Sequence, residues 1–197
     1  MKKLVLASGN SGKISEFRAA LASTGIEVVP ITNYYAEWSV DETGQTFFVN
    51  AAIKAVAAMQ ATGLPALADD SGLTVNYLGG EPGVHSRTFA GPEATAAENN
   101  ALLLRKMLMA KERRHAHFTS VLALAIPGQE VRFAVGRLFG SIAREPRGEG
   151  GFGYDPLFVV RGTDQTLAEF TLADKNKISH RGQALLGLRD ILTHAGA

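Results

Sequence analysis

The chain has no cysteine among its 197 residues. A disulfide framework and a thiolate metal site are therefore excluded, and nothing requires an oxidising compartment. It also has no excess of charge: 20 Lys and Arg stand against 19 Asp and Glu, a net charge of +1. Such a balance disfavours a long polyanion such as DNA as partner, while leaving room for a small anion held in one local pocket. No apolar run approaches the roughly 20 residues of a membrane span; Val121 to Ile126 is typical of the longest. The start, Met1-Lys2-Lys3-Leu4, opens like a signal peptide, but Ser8-Gly9-Asn10 cuts the apolar run short. A cytoplasmic protein with no membrane and no nucleic-acid polymer as partner is the expectation. Internal repeats and low-complexity linkers are absent, and so is a Walker A loop: Ala7 and Ile14 occupy the positions where that pattern needs Gly and Ser or Thr.

What is present is a globular composition, 46% hydrophobic and 20% charged, long enough for a single domain over residues 1–197, as one core or two lobes. Lys3 to Ala7 reads as a buried strand. Ser8-Gly9-Asn10-Ser11-Gly12-Lys13 is a tight loop, and Ile14 to Ser23 has helical spacing. Strand, glycine-containing loop and helix together aim backbone N–H groups and a helix N-terminus at an anion, with Lys13 as its point charge. An ordinary strand-to-helix turn explains this stretch equally well. Further on, Thr46 can cap a helix over Phe47 to Gln60, with Phe48, Ala52, Val56 and Met59 on one face. Glu42 lies just ahead of it. Asn50 and Lys54 share another face, where simple solvation is the expected role.

The stretch around which the chain is organised is Ala66-Leu67-Ala68-Asp69-Asp70-Ser71-Gly72. A short apolar run predicts a buried strand, and Ser71-Gly72 predicts a turn that ends it and exposes the two carboxylates. Ligands of open α/β sheets bind at such strand ends. Adjacent carboxylates there need a positive partner; Mg²⁺ is the usual one, and it brings phosphates. In an extended stretch the two side chains point opposite ways, so Asp69 supports rather than reacts.

Four glycines fall within Gly148–Gly153 in a second loop, which lets the backbone pass close to a ligand. Phe152 stands between glycines and Tyr154 follows one, displayed as base-stacking residues would be. Lys175, His180 and Arg181 supply three donors ahead of or at the N-terminus of the last helix, where an anion is favoured. The basic cluster from Lys111 to His117 has no interleaved aromatics and reads as a solvated loop. Two glycine-rich loops, three carboxylates at element ends, separate lysines and a displayed aromatic are the parts of a Mg²⁺-dependent nucleotide site. With no other acceptor evident, water is the natural one, and Asp70 can take its proton as general base.

Five blocks together carry a resemblance: Ser8-Gly9-Asn10 with Lys13; Glu42-Thr43-Gly44 with Thr46-Phe47 and Asn50-Ala51; Ala68 to Leu73; Gly150 to Pro156; and Ile178 to Arg181. Their order and spacing resemble those of the RdgB-type inosine/xanthosine triphosphate pyrophosphatases over essentially the whole chain. The resemblance implies an α/β fold with a mixed twisted sheet flanked by helices. It also implies two lobes around a central active-site cleft, and a homodimer. The implied reaction is Mg²⁺-dependent hydrolysis of ITP, dITP and XTP to the monophosphate and pyrophosphate. Its implied residue roles are phosphate binding by Ser8, Gly9, Asn10, Ser11, Gly12 and Lys13, and metal binding by Glu42 and Asp70, with Asp70 also the proton acceptor. Ser71 and Lys175 would contact substrate; Phe152, Gly153, Tyr154 and Asp155 would stack on and frame the base; His180 and Arg181 would read its 6-oxo edge. The chain departs from the family pattern at Val49, where Glu is usual, and at His85-Ser86-Arg87-Thr88-Phe89, where an arginine is shifted or lost. Two other readings stay open: a nucleotide sensor without turnover, which Val49 favours, and a phosphohydrolase of other nucleotides.

Overall fold

The computed structural model describes residues 1–194. Six strands, β1 (Lys3–Leu6), β2 (Glu27–Pro30), β3 (Ala66–Val75), β4 (His115–Ala125), β5 (Arg132–Ile142) and β6 (Phe158–Val160), form one sheet in the order β2-β1-β3-β4-β5-β6. The helices are α1 (Ser11–Leu21), α2 (Phe47–Thr62), α3 (Ala96–Lys106), α4 (Leu172–Ile178) and α5 (His180–His194). β1 pairs in parallel with β2 and β3, whereas β5 pairs antiparallel with β6, so the sheet is mixed, as expected. The chain divides into two compact units, one of residues 1–70, 120–136 and 182 onward, the other of residues 71–119 and 137–181.

In the first unit the period-2 alternation of the strands builds two apolar layers. Leu4, Leu6, Leu67, Leu122 and Leu124 pack with Phe17 and Leu21 of α1 and Leu185 and Leu188 of α5. Their neighbours Val5, Ala7, Ala66, Ala68 and Ala123 pack with Ala51, Ala55 and Ala58 of α2. The inward stripe of α2 is thus made of alanines. Phe48, expected on the packing face, is 43% exposed, and Val56 and Met59 only border the core. Small side chains on both surfaces let the helix lie close to the sheet, which a phenylalanine at that seam would prevent. α1 begins at Ser11, earlier than its apolar spacing suggests, because Asn10 Oδ1 accepts a hydrogen bond from Lys13 N at 3.0 Å and caps it.

In the second unit Leu73 and Val75 of β3 join Leu103, Met107, Phe118, Leu138, Leu157 and Phe158 in one core. This corrects the expected turn at Ser71-Gly72: β3 runs through both residues without a break. Gly72 is buried, and Leu73 and Val75 anchor the continuation, so burial outweighs the local turn preference. β5 likewise continues through Gly136 and Gly140. Gly140 is needed for space, since a Cβ there would collide with the Val159 carbonyl of β6. The basic cluster is more ordered than a solvated loop. β4 starts at His115, and Arg114 donates to the carbonyls of Ile142 (2.6 Å), Ala143 (2.7 Å) and Met107 (3.2 Å).

Candidate active site

Asp69 and Asp70 are consecutive on β3, both buried, and their partners lie on different elements. Asp69 Oδ2 is 2.7 Å from Lys13 Nζ, and its Oδ1 accepts from the Ser120 hydroxyl at 2.7 Å. Lys13 Nζ also donates to the Asp69 carbonyl at 3.2 Å. Asp69 therefore fixes the lysine that follows the first glycine-rich loop. Within that loop Asn10 N donates to Ser8 Oγ at 3.2 Å. The N–H groups of Ser11 and Gly12, in the first turn of α1, have no hydrogen-bond partner among the described residues. Two open donors beside a lysine suit an anion.

Asp70 faces a different cation. Its Oδ1 lies 2.8 Å from Lys54 Nζ, which is also 3.3 Å from Glu42 Oε2. Asp70 Oδ2 is buried with no hydrogen-bond partner among the described residues. Burial pushes the Asp70 carboxyl up to about 6; the charge and hydrogen bond of Lys54 oppose the rise, and Glu42 adds to it. Lys54 is pulled down by burial, but Asp70 and then Glu42 outweigh this and hold it above its ordinary value. The loop bearing Glu42 is tied to α2: Gly44 N donates to the buried Asn50 Oδ1 at 2.8 Å. A Cβ on Gly44 would stand 2.5 Å from that oxygen and 2.7 Å from Val49 Cγ1, so the residue must be glycine for the loop to lie flat on the helix.

Among the described residues no cluster of three or more His, Asp or Glu side chains is arranged to hold a metal. The donor set nonetheless fits Mg²⁺. Asp70 and Glu42 offer hard oxygens about one lysine, and Asp70 Oδ2 is an orphaned acceptor. Mg²⁺ binds through one or two carboxylates and keeps several waters.

The second unit gathers another group. The buried Asp155 Oδ2 accepts from Lys175 Nζ and from the Phe152 N–H, each at 2.8 Å. The loop curls tightly around this carboxylate. Gly151 has φ of 73°, and a Cβ on it would run into Asp155. The curl leaves Phe152 40% exposed, with Lys175 Nζ 4.6 Å and Arg181 Cζ 5.1 Å from its ring centroid. Arg181 Nη2 donates to Ser71 Oγ at 2.9 Å, and His180 stacks on Phe118 at 4.8 Å and 12°. Gly153 is held through its carbonyl by Asn100 Nδ2 at 3.0 Å.

Tyr154 does not present the open aromatic face that the glycine before it suggests. Its ring is buried in the core and its hydroxyl donates to the Ser86 carbonyl at 2.8 Å, with burial pushing the phenol well above its usual range. Phe152 is the displayed ring. The first unit thus brings Glu42 to Asp70, and Lys13 to Asp69. The second brings Ser71, Phe152, Asp155, Lys175 and Arg181 into one network and seats His180 against Phe118. Sequence reasoning undervalued Lys54, Asn50 and Ser120. The signal for the first two was their four-residue spacing in a helix that is otherwise apolar from Phe47 to Met59; Ser120, inside an apolar strand, had none.

The strand order, with buried carboxylate–lysine groups on both units, defines a mixed-sheet α/β protein equipped for an anionic ligand. The chain belongs to the Ham1 family, whose model matches residues 4–191. It is 46% identical over 196 residues to a dITP/XTP pyrophosphatase of Bacillus licheniformis, covering 99% of this chain and 100% of that one. To the dITP/XTP pyrophosphatase of Bacillus subtilis it is 43% identical, with 98% of each chain covered. A HAM1 protein structure from Coxiella burnetii superposes with a TM-score of 0.91 at 45% identity, covering 98% of this chain and all of that one. The Staphylococcus aureus Ham1 protein does so at 0.89 and 38%, with the same coverage.

Proposed function

We propose that this chain hydrolyses non-standard purine nucleoside triphosphates, dITP, ITP and XTP, to the monophosphate and pyrophosphate. The observation that carries the reading is the Asp70–Lys54–Glu42 group with its orphaned buried carboxylate oxygen. Full-length relatives named dITP/XTP pyrophosphatases support it. Water attacks the α-phosphorus, the bond from that phosphorus to the bridging oxygen breaks, and pyrophosphate leaves. Asp70 accepts the proton of the attacking water; a carboxyl raised to about 6 is a better base near neutral pH than an ordinary aspartate. Mg²⁺ bound by Asp70 and Glu42 would neutralise phosphate charge.

Lys13, oriented by Asp69, and the open N–H groups of Ser11 and Gly12, with Ser8, Gly9 and Asn10 shaping their loop, hold phosphate oxygens of the substrate. Phe152 stacks on the base, and Lys175, fixed by Asp155, keeps that ring in place. Gly153 and Tyr154 shape the loop that frames it, and Ser71 contacts substrate beside Arg181. His180 and Arg181 donate toward a 6-oxo group, an arrangement that leaves adenine's 6-amino group facing donors. The working form is a homodimer. Phe48 and Val49 of α2, with Phe133 and Val135 of β5, are all exposed, and the two phenylalanine rings meet edge-on at 5.4 Å. An apolar patch of this kind suits an isologous contact. The proposed setting is the cytoplasm, where such nucleotides occur.

The test is ³¹P NMR of dITP and XTP incubated with the protein, with and without Mg²⁺. Monophosphate and pyrophosphate appearing together, only with Mg²⁺, is the expected result. Tight binding without turnover would replace the reading with a nucleotide sensor, and release of orthophosphate would replace it with another phosphohydrolase.

A further inference from the structure

Away from these groups the second unit has a cavity of about 570 Å³ that no step above uses. Its volume lies within the roughly 300–1,000 Å³ of small-molecule sites. His115 and His117 of β4, Phe139 and Ser141 of β5, and Arg161 after β6 line it, and no Asp or Glu is among the lining residues. Phe139 is 49% exposed and its ring lies 5.6 Å from that of His117, tilted by 35°. Arg161 forms no ion pair among the described residues. Burial, and after it the positive charge of Arg137, two residues before Phe139 on β5, hold the His117 imidazole below its ordinary value. Phe139 and His117 thus form an aromatic wall beside the Arg161 guanidinium, with no carboxylate among the lining residues.

We propose that this cavity is a second nucleotide site, which binds a nucleoside monophosphate with its base on Phe139 and His117 and its phosphate on Arg161 and His115. A flat ring half open to solvent gains from stacking a base, and the sequence of the base matters little to such a platform. A guanidinium with no carboxylate partner gains a charge-assisted, bidentate phosphate contact. The Ser141 hydroxyl is available to the sugar or the phosphate. None of these residues belongs to the groups assigned to hydrolysis, so the inference does not depend on that reading.

The test is a titration of the full-length protein with AMP, adenosine and inorganic phosphate, followed through the histidine ring NMR signals. His85 serves as an internal control away from the cavity lining, and His180 reports separately on the hydrolytic site. AMP is expected to shift His115 and His117 saturably, with adenosine and phosphate each at least about tenfold weaker. Arg161→Gln and Phe139→Ala should each weaken AMP by about fivefold or more, and Phe139→Tyr should restore it. Asp70→Asn should leave these shifts unchanged, which separates this site from the hydrolytic one. Unmoved His115 and His117 signals at millimolar AMP, equal binding of free phosphate, or full affinity in Arg161→Gln would overturn the proposal; the first two outcomes need no variant and so no assumption about folding.

Discussion

Lys54 Nζ stands 2.8 Å from Asp70 Oδ1 and 3.3 Å from Glu42 Oε2, so a single half-buried cation joins two carboxylates that lie 28 residues apart in the chain. Asp70 keeps its second oxygen unpartnered among the described residues. In the proposed reaction Asp70 takes the proton of the attacking water. Asp70→Asn keeps the shape and removes the base. The variant should bind dITP within a fewfold of the parent while losing about a hundredfold or more in kcat. Isothermal titration and steady-state kinetics on the same preparation check both halves.

The same carboxyl sets a pH dependence in metal-free protein. Its folded value of about 6 lies above the ordinary aspartate value, so between the two the folded state binds more protons than the unfolded. Stability from this group is present at low pH and is lost as pH rises to about 6. Urea unfolding of the metal-free protein across this range should show that loss, and Asp70→Asn should flatten it.

Gly44 and Asn50 form a latch that carries Glu42. Gly44→Ala places a methyl group against Asn50 Oδ1 and Val49, so the loop must lift. The Mg²⁺ concentration for half-maximal activity should rise several-fold, with little change in thermal midpoint, because the loop is exposed. Mg²⁺ titrations of the two proteins at saturating dITP measure it.

The Asp155–Lys175 pair is buried at both ends. Lys175→Met leaves Asp155 charged and without its cation, which costs about 3–5 kcal/mol. Urea denaturation should show a loss of that order, and the double variant Lys175→Met with Asp155→Leu should recover part of it. Phe152→Ala, by contrast, removes an exposed ring and should raise KM for dITP about tenfold with the fold intact.

How far these relationships could be read in advance depends on their range. The mixed α/β class, the cap at Thr46, and the opposition of Asp69 and Asp70 follow from local rules of spacing and strand alternation. The continuation of β3 through Ser71-Gly72 did not, because Leu73 and Val75 decide it by burial in a core whose other buried members lie 28 or more residues away. Tyr154 escapes local rules for the same reason: the preceding Gly153 describes its neighbour in sequence, whereas Ser86 and the core around it decide where the ring goes. Lys54 was undervalued because a lone lysine on a helix looks solvated until the strand it reaches is known.

The measurement closest to the central claim is kcat/KM for pyrophosphate release from dITP, XTP, dGTP and dATP under one condition with Mg²⁺. The account predicts that dITP and XTP are hydrolysed at least about a hundredfold more efficiently than dATP, with dGTP also disfavoured. Equal efficiency on dATP, dGTP and dITP, or no pyrophosphate from any of them, would contradict it.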